Sequence, residues 1–194
     1  MLSAIIATHE SERLLVPTLA ALVPGATAGV LADVIVADGN SRDETAKVAD
    51  IAGCKFFASA APVGTRLREA SRAARSPWLM FLRAGSVPDP GWVGAVERFI
   101  EDSEQDGTGT AKAATFRAFN AGGGRSALAE LMAALRALVH AAQRPEQGLV
   151  IHRRLYDELG GHADSGDAEA AIMRKLGSRR IAMLGATVRL RTQT

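Results

Sequence analysis

Several things are scarce in this chain of 194 residues: it has one cysteine, one tyrosine and two tryptophans, and aromatics make up only 5%. A lone Cys54 cannot close an internal disulfide, so no covalent staple is expected. Lying after an apolar helix, it reads as core filler or as a reactive thiol, in a reducing cytosol. No run of 18 apolar residues is present to cross a bilayer. The sequence opens directly on an apolar strand with no basic-then-apolar leader, and a cytoplasmic protein is the expectation. Neither sign of charge dominates, since 23 Lys and Arg against 21 Asp and Glu leave a formal +2. That mild excess fits an anionic ligand such as a nucleotide diphosphate, or weak attraction to acidic lipid. With few aromatics and no reader motif, nucleic acid is not an expected partner.

What remains is an ordinary globular composition, 47% hydrophobic and 23% charged, at a length suited to one domain over residues 1–194. Strand and helix patterns alternate. Residues 2–7 read as strand, 12–22 as helix ended by Pro24-Gly25, 33–37 as strand, 44–52 as helix and 54–58 as strand. A helix at 64–75 carries Arg66, Arg68, Arg72 and Arg75, and 78–82 is a further apolar strand. After the turn Asp89-Pro90-Gly91 come a helix at 92–101, a loop at 101–109, a strand at 113–119 and a flexible Ala121-Gly122-Gly123-Gly124. The last part reads as strand 148–151, helix 154–159, helix 168–176 and strand 180–184. Such alternation implies a parallel sheet covered by helices. The longest helix, 126–142, gathers Leu128, Leu131, Met132, Leu135, Leu138 and Val139 on one side. That stripe packs on the sheet or rests on a membrane surface or partner.

The most informative stretch runs from Val34 to Thr45, Val-Ile-Val-Ala-Asp-Gly-Asn-Ser-Arg-Asp-Glu-Thr. Its apolar start suits a strand buried on both faces. Gly39 and Asn40 suit a sharp turn, and Ser41 with Glu44 has the spacing of a capping box at a helix start. Asp38 is thereby placed at the carboxyl end of a strand, where open α/β sheets bind ligands.

Four blocks in order resemble glycosyltransferase family 2, over about residues 2–190. The first is Ile5-Ile6-Ala7-Thr8-His9-Glu10-Ser11-Glu12, similar to the family's Thr-x-Asn-Glu turn but one residue short. The second, Val36 to Thr45, is similar to Val-Asp-Gly-Gly-Ser-x-Asp-x-Thr. The third runs from Gly64 to Leu82, and the fourth from Glu146-Gln147-Gly148 to Leu159-Gly160-Gly161. The resemblance implies a GT-A-like nucleotide-diphospho-sugar transferase fold, α/β, with a mixed, mostly parallel sheet flanked by helices. It also implies inverting transfer of a sugar from a nucleotide-sugar donor to an unknown acceptor. Thr8, His9, Glu10, Asp38, Gly39 and Arg66 would bind the nucleotide, and Glu146 and Gln147 would lie on the acceptor side.

The chemistry needs a carboxylate for the donor, positive charge for the departing diphosphate and a base for the acceptor hydroxyl. In the family Mg²⁺ or Mn²⁺ supplies the charge, held by an Asp-x-Asp after the strand that ends here at Leu82. This chain has Arg83-Ala84-Gly85 there, no ligands for a hard cation, and no metal is expected at that motif. Arg83 supplies the charge instead, or is a solvated residue at a decayed site. For the base, Asp167 matches the family's Glu-Asp pair after a one-residue shift; it could equally be a helix N-terminal charge, with Asp164 in reserve. His9 could equally be a loop residue, the helix arginines a solvated face and Gln147 a backbone partner. His140, His152 and His162 are too scattered for a metal site. A catalytically silent relative that binds a nucleotide or a protein is the second reading. A sugar-nucleotide-forming enzyme is the third, opposed by the absence of glycine between Ala7 and Arg13.

Overall fold

The computed structural model describes residues 1–107, 111–118, 148–165 and 167–192. Their order is β1 (Leu2–Thr8), α1 (Glu12–Thr27), β2 (Leu31–Asp38), α2 (Thr45–Ile51), β3 (Lys55–Ala58), α3 (Val63–Ala73), β4 (Trp78–Arg83), β5 (Ser86–Pro88), α4 (Trp92–Gln105), β6 (Ala113–Ala118), β7 (Leu149–His152), α5 (Arg153–Glu158), α6 (Ala168–Leu176), a 3₁₀ turn (Ser178–Arg180) and β8 (Ile181–Leu190). The predicted helix at 126–142, the glycine connection at 121–124 and Phe119 lie outside the described residues.

The described strands form one mixed sheet in the order β3-β2-β1-β4-β7-β6-β8-β5. The first four are parallel, β7 runs against both its neighbours, and β6 and β8 are parallel. Strand order reverses direction at β1, with β2 on one side and β4 on the other. The crevice at their carboxyl ends is therefore the place where such a sheet takes a ligand.

Two apolar layers hold the sheet. Even-numbered β1 residues Leu2, Ala4 and Ile6 join Leu15, Leu22, Trp78, Met80, Trp92, Val96 and Phe116 on the face covered by α1, α2 and α4. Odd-numbered Ile5 joins Leu67, Leu79, Phe81, Ile151, Leu155, Ile172 and Met173 on the face covered by α3, α5 and α6. Burial on both faces is why β1, apart from Ser3 and Thr8, and β4 up to Leu82 read as apolar runs. Cys54 packs half-buried against the first layer, and burial raises its thiol pKa to about 11, the behaviour of core filler.

Four local expectations need correction. Helix α1 does not break at Pro24-Gly25 but runs to Thr27. Pro24 lacks an amide donor, yet its carbonyl accepts from Ala28 N at 3.0 Å, and Trp92 Nε1 donates to Ala21 O at 2.9 Å. A Cβ on Gly25 would come within 2.4 Å of the Trp92 ring, so the helix tolerates glycine there in exchange for a fully buried indole. Helix α4 extends to Gln105 rather than yielding to a loop at Glu101, because Ile100 and Ser103 continue its buried side. Ser86–Pro88 is an additional strand, and β8 continues to Leu190 because the two pair antiparallel at Ser86↔Leu190. Helix α3 ends at Ala73, leaving Arg75 beyond it.

Candidate functional site

Parallel register sets Thr8 opposite Asp38, so the turns after β1 and β2 leave the sheet side by side. Asp38 is 1% exposed, and a buried carboxylate must be met by donors. Thr8 Oγ1 donates to its Oδ1 at 2.7 Å, Ser41 N to its Oδ2 at 2.7 Å and Ser41 Oγ to its Oδ1 at 2.6 Å. Ser41 Oγ also accepts from Glu10 N at 2.8 Å, while Glu10 Oε1 accepts from Arg42 N at 2.9 Å. His9 Nδ1 lies 3.1 Å from Gly39 O, and Gly39 N donates to Thr8 O at 2.8 Å. These cross-bonds hold Glu10 and Asn40 at φ of 48° and 63°, in the left-handed region.

The capping box is not formed. Ser41 is spent on Asp38, Glu44 makes no side-chain cap, and α2 starts at Thr45. Asp43 takes the role instead, accepting from Thr45 N at 3.1 Å, Thr45 Oγ1 at 2.5 Å and Glu12 N at 3.0 Å. Burial pushes the Asp43 pKa up, but the bonds from Thr45 and Glu12 outweigh it and hold the carboxyl below its ordinary range.

Arg66 reaches the same place from α3. Its Nη1 donates to Ala37 O at 2.7 Å and Thr8 O at 3.0 Å, and its Nε to Ala61 O at 3.2 Å. Burial lowers its pKa, and the nearby Asp38 charge opposes this. The structure thus brings Thr8, His9, Glu10, Asp38, Gly39 and Arg66 together, with Arg66 serving the carbonyls of the strand ends.

One strand over, Arg83 pairs in register with Ala7. Arg83 and Asp38 stand two strands apart, about 10 Å at sheet spacing. Arg83 is not simply solvated: its Nε is 2.8 Å from the Glu169 carboxylate, with side chains 45% and 13% exposed. Both line a narrow depression with Phe81, Gly148, His162 and Ile172. His162 is buried, its Nδ1 2.9 Å from Tyr156 Oη, its ring edge-on to Phe81 at 4.7 Å. Burial, with Arg68 and Lys175 nearby, lowers its pKa to about 3, so the imidazole is neutral.

Asp167 flanks the start of α6, 60% exposed and 3.9 Å from Arg174. Asp164 accepts from Thr65 Oγ1 at 2.5 Å and from Arg68 Nη2 at 2.8 Å, and these partners hold its carboxyl low. This clamp needs Gly64, where a Cβ would lie 2.0 Å from Ala163 O. Glu146 and Gln147 lie outside the described residues.

Glu169 escaped the sequence reading, although helical spacing carried the signal. It lies three, four and seven positions before the buried Ile172, Met173 and Leu176, hence on the inward side of α6. For a divalent cation the donor set does not fit. Among the described residues Glu169 is the one carboxylate paired with Arg83, it already faces a guanidinium, and no group of three metal-ligating side chains occurs.

The sequence model described as glycosyl transferase family 2 matches residues 3–128. No curated protein matches. The fold is similar to that of Staphylococcus aureus TarS 1-349, at TM-score 0.70 and 14% identity over 97% of this chain and 60% of that one. It is also similar to Mycobacterium tuberculosis glucosyl-3-phosphoglycerate synthase in complex with Mn²⁺, uridine diphosphate and glucosyl-3-phosphoglycerate, at 0.69 and 19% over 100% and 73%. A third similar structure is TarS 1-349 with UDP-GlcNAc, at 0.68 and 15% over 100% and 59%. The chain thus spans about 60% of the TarS 1-349 structure, and at these identities the likeness speaks for the fold.

Proposed function

Because the chain belongs to glycosyl transferase family 2, we propose that it moves a sugar from a nucleotide-sugar donor to an acceptor hydroxyl, with inversion at the anomeric carbon. The observation that carries this reading is the placement of Asp38 and Arg83 at the carboxyl ends of β2 and β4, with β1 between them. A nucleoside diphosphate is long enough to touch both.

Asp38 matches the family's base-contacting aspartate, and its three bonds from Thr8 and Ser41 fix the turn that would receive the nucleotide. Thr8, His9, Glu10 and Gly39 shape the turn around it, and Arg66 fixes the strand ends beneath. Arg83 offsets the diphosphate charge that Mn²⁺ accompanies in the synthase complex. Glu146 and Gln147 remain the acceptor-side candidates and Asp167 the residue matching the family's base. The donor is the expected small-molecule partner, and no step is routed through a metal.

The test is a thermal-shift and calorimetric screen of uridine, guanosine and thymidine diphosphates and their sugars, with and without EDTA, followed by donor hydrolysis. Saturable binding of one diphosphate, weakened in Arg83→Ala and indifferent to EDTA, is the expected result. Binding without turnover under every acceptor tried would favour the silent relative, which the missing carboxylates at Arg83 and Gly85 recommend. No binding at all would end the reading.

A further inference from the structure

We propose that the depression beside Arg83 receives one hydroxyl of the donor's sugar, and that His162 recognises it with an N–H donor fixed at Nε2. This rests on the transferase reading above.

Place comes first. The depression opens at the carboxyl end of β4, beside the guanidinium that meets the diphosphate in that reading. The sugar carried on that diphosphate is the next part of the donor to reach it. The room inside, about 10 Å³ for the centre of a water-sized atom, suits a single oxygen. Phe81, Leu149, Ile172 and Met173 supply apolar wall. The Glu169 carboxylate in the same wall disfavours a phosphate oxygen, which leaves a neutral hydroxyl as the fitting occupant.

Orientation comes second. His162 is 1% exposed and held from several sides. Its backbone N donates to Tyr156 Oη at 3.3 Å, and its carbonyl accepts from Arg68 Nη1. Its ring meets Phe81 edge-on, and Phe81 stacks on Tyr156 with centroids 4.9 Å apart. Nδ1 lies 2.9 Å from Tyr156 Oη. Burial pushes the Tyr156 pKa up to about 12, so the phenol keeps its proton. With Oη already accepting from His162 N, that proton points to Nδ1. A neutral imidazole carries one N–H, and here it falls on Nε2. Among the described residues no hydrogen bond reaches Nε2, in a side chain that lines the depression. A buried donor without a partner is costly, and a ligand hydroxyl relieves that cost.

The test uses the full chain with UDP-glucose, UDP-GlcNAc, GDP-mannose and dTDP-glucose, each beside its own nucleoside diphosphate. The chain has four histidines, so the ring signals in a nitrogen NMR spectrum are few, and His162→Gln assigns the one in question. His162 should show the Nε2–H tautomer in the wild type. Its signal should move when the sugar nucleotide that binds is added, and stay when the diphosphate alone is added. By calorimetry, His162→Phe should bind that sugar nucleotide about three- to tenfold more weakly, the worth of a neutral hydrogen bond, with diphosphate affinity unchanged. Retained diphosphate binding also reports that the variant is folded, and the wild-type spectrum decides the matter if it is not. An Nδ1–H tautomer, or a His162 signal indifferent to every sugar nucleotide that binds, overturns the proposal and leaves Nε2 to water, with the transferase reading intact. Equal losses for diphosphate and sugar nucleotide in His162→Phe overturn it too, giving the residue to the diphosphate. Failure of the wild-type chain to bind any of these ligands overturns both.

Discussion

The turns after β1 and β2 and the cleft between β4 and α6 share one end of one sheet, yet they are built in opposite ways. The turns are knotted by neutral and charge-assisted hydrogen bonds between residues about thirty apart, around a carboxylate closed to water. The cleft carries the Arg83–Glu169 ion pair at its mouth, with Arg83 nearly half-exposed. Bonds of the first kind fix a shape before a ligand arrives, which spares ordering entropy on binding. A pair of the second kind contributes little to stability, because water screens each exposed charge.

Asp38→Ala attacks the difference most directly. It strips acceptors from Thr8 Oγ1, Ser41 N and Ser41 Oγ inside a buried turn, and should cost about 3 kcal/mol in urea unfolding. A loss no larger than that of Arg83→Ala would erase the distinction between the two regions.

The next effect is a pH dependence beneath the cleft. His162 has a pKa of about 3 when folded against 6.5 ordinarily, so the unfolded chain binds the proton first. Its contribution is fully present above about pH 6.5 and falls as pH drops, by about 2 kcal/mol at about pH 5. Unfolding curves at about pH 8 and about pH 5 should show this loss in the wild type and not in His162→Gln. Equal slopes would mean that the floor of the cleft is as wet as its mouth.

Asp43→Ala removes the acceptor that serves Thr45 and Glu12, and should cost about 1 kcal/mol, the usual worth of a helix cap. The cost should vanish as pH falls through the carboxyl's depressed folded pKa, since a protonated Asp43 has lost the same advantage. Last, Arg83→Ala should change stability by less than about 1 kcal/mol, read in the same urea assay. A larger value would make the pair a fixture of the fold rather than of the site.

Where burial is two-sided and continuous, the sequence spoke plainly. Val34 to Ala37 and Trp78 to Leu82 carry apolar runs with no other use, and both form strands of the sheet, with Asp38 closing β2 as its place after such a run implied. Three-residue β5, ending on Pro88, has no periodicity to read and exists because β8 passes beside it. Ser41 and Glu44 satisfied a local rule at the right spacing, but a buried carboxylate three residues upstream outbid the helix end for the hydroxyl. Glu169 was hidden for a different reason. Its meaning depends on Arg83, 86 positions away, and only the packing of α6 against β4 joins them.

The indoles offer a practical return. Trp78 and Trp92 are the only two in the chain, both at zero exposure, both in the apolar layer under α1 and α4 rather than the one lining the cleft. Intrinsic fluorescence should therefore shift sharply on denaturation and stay silent during nucleotide titration, so the optical signal that follows melting cannot double as a binding readout.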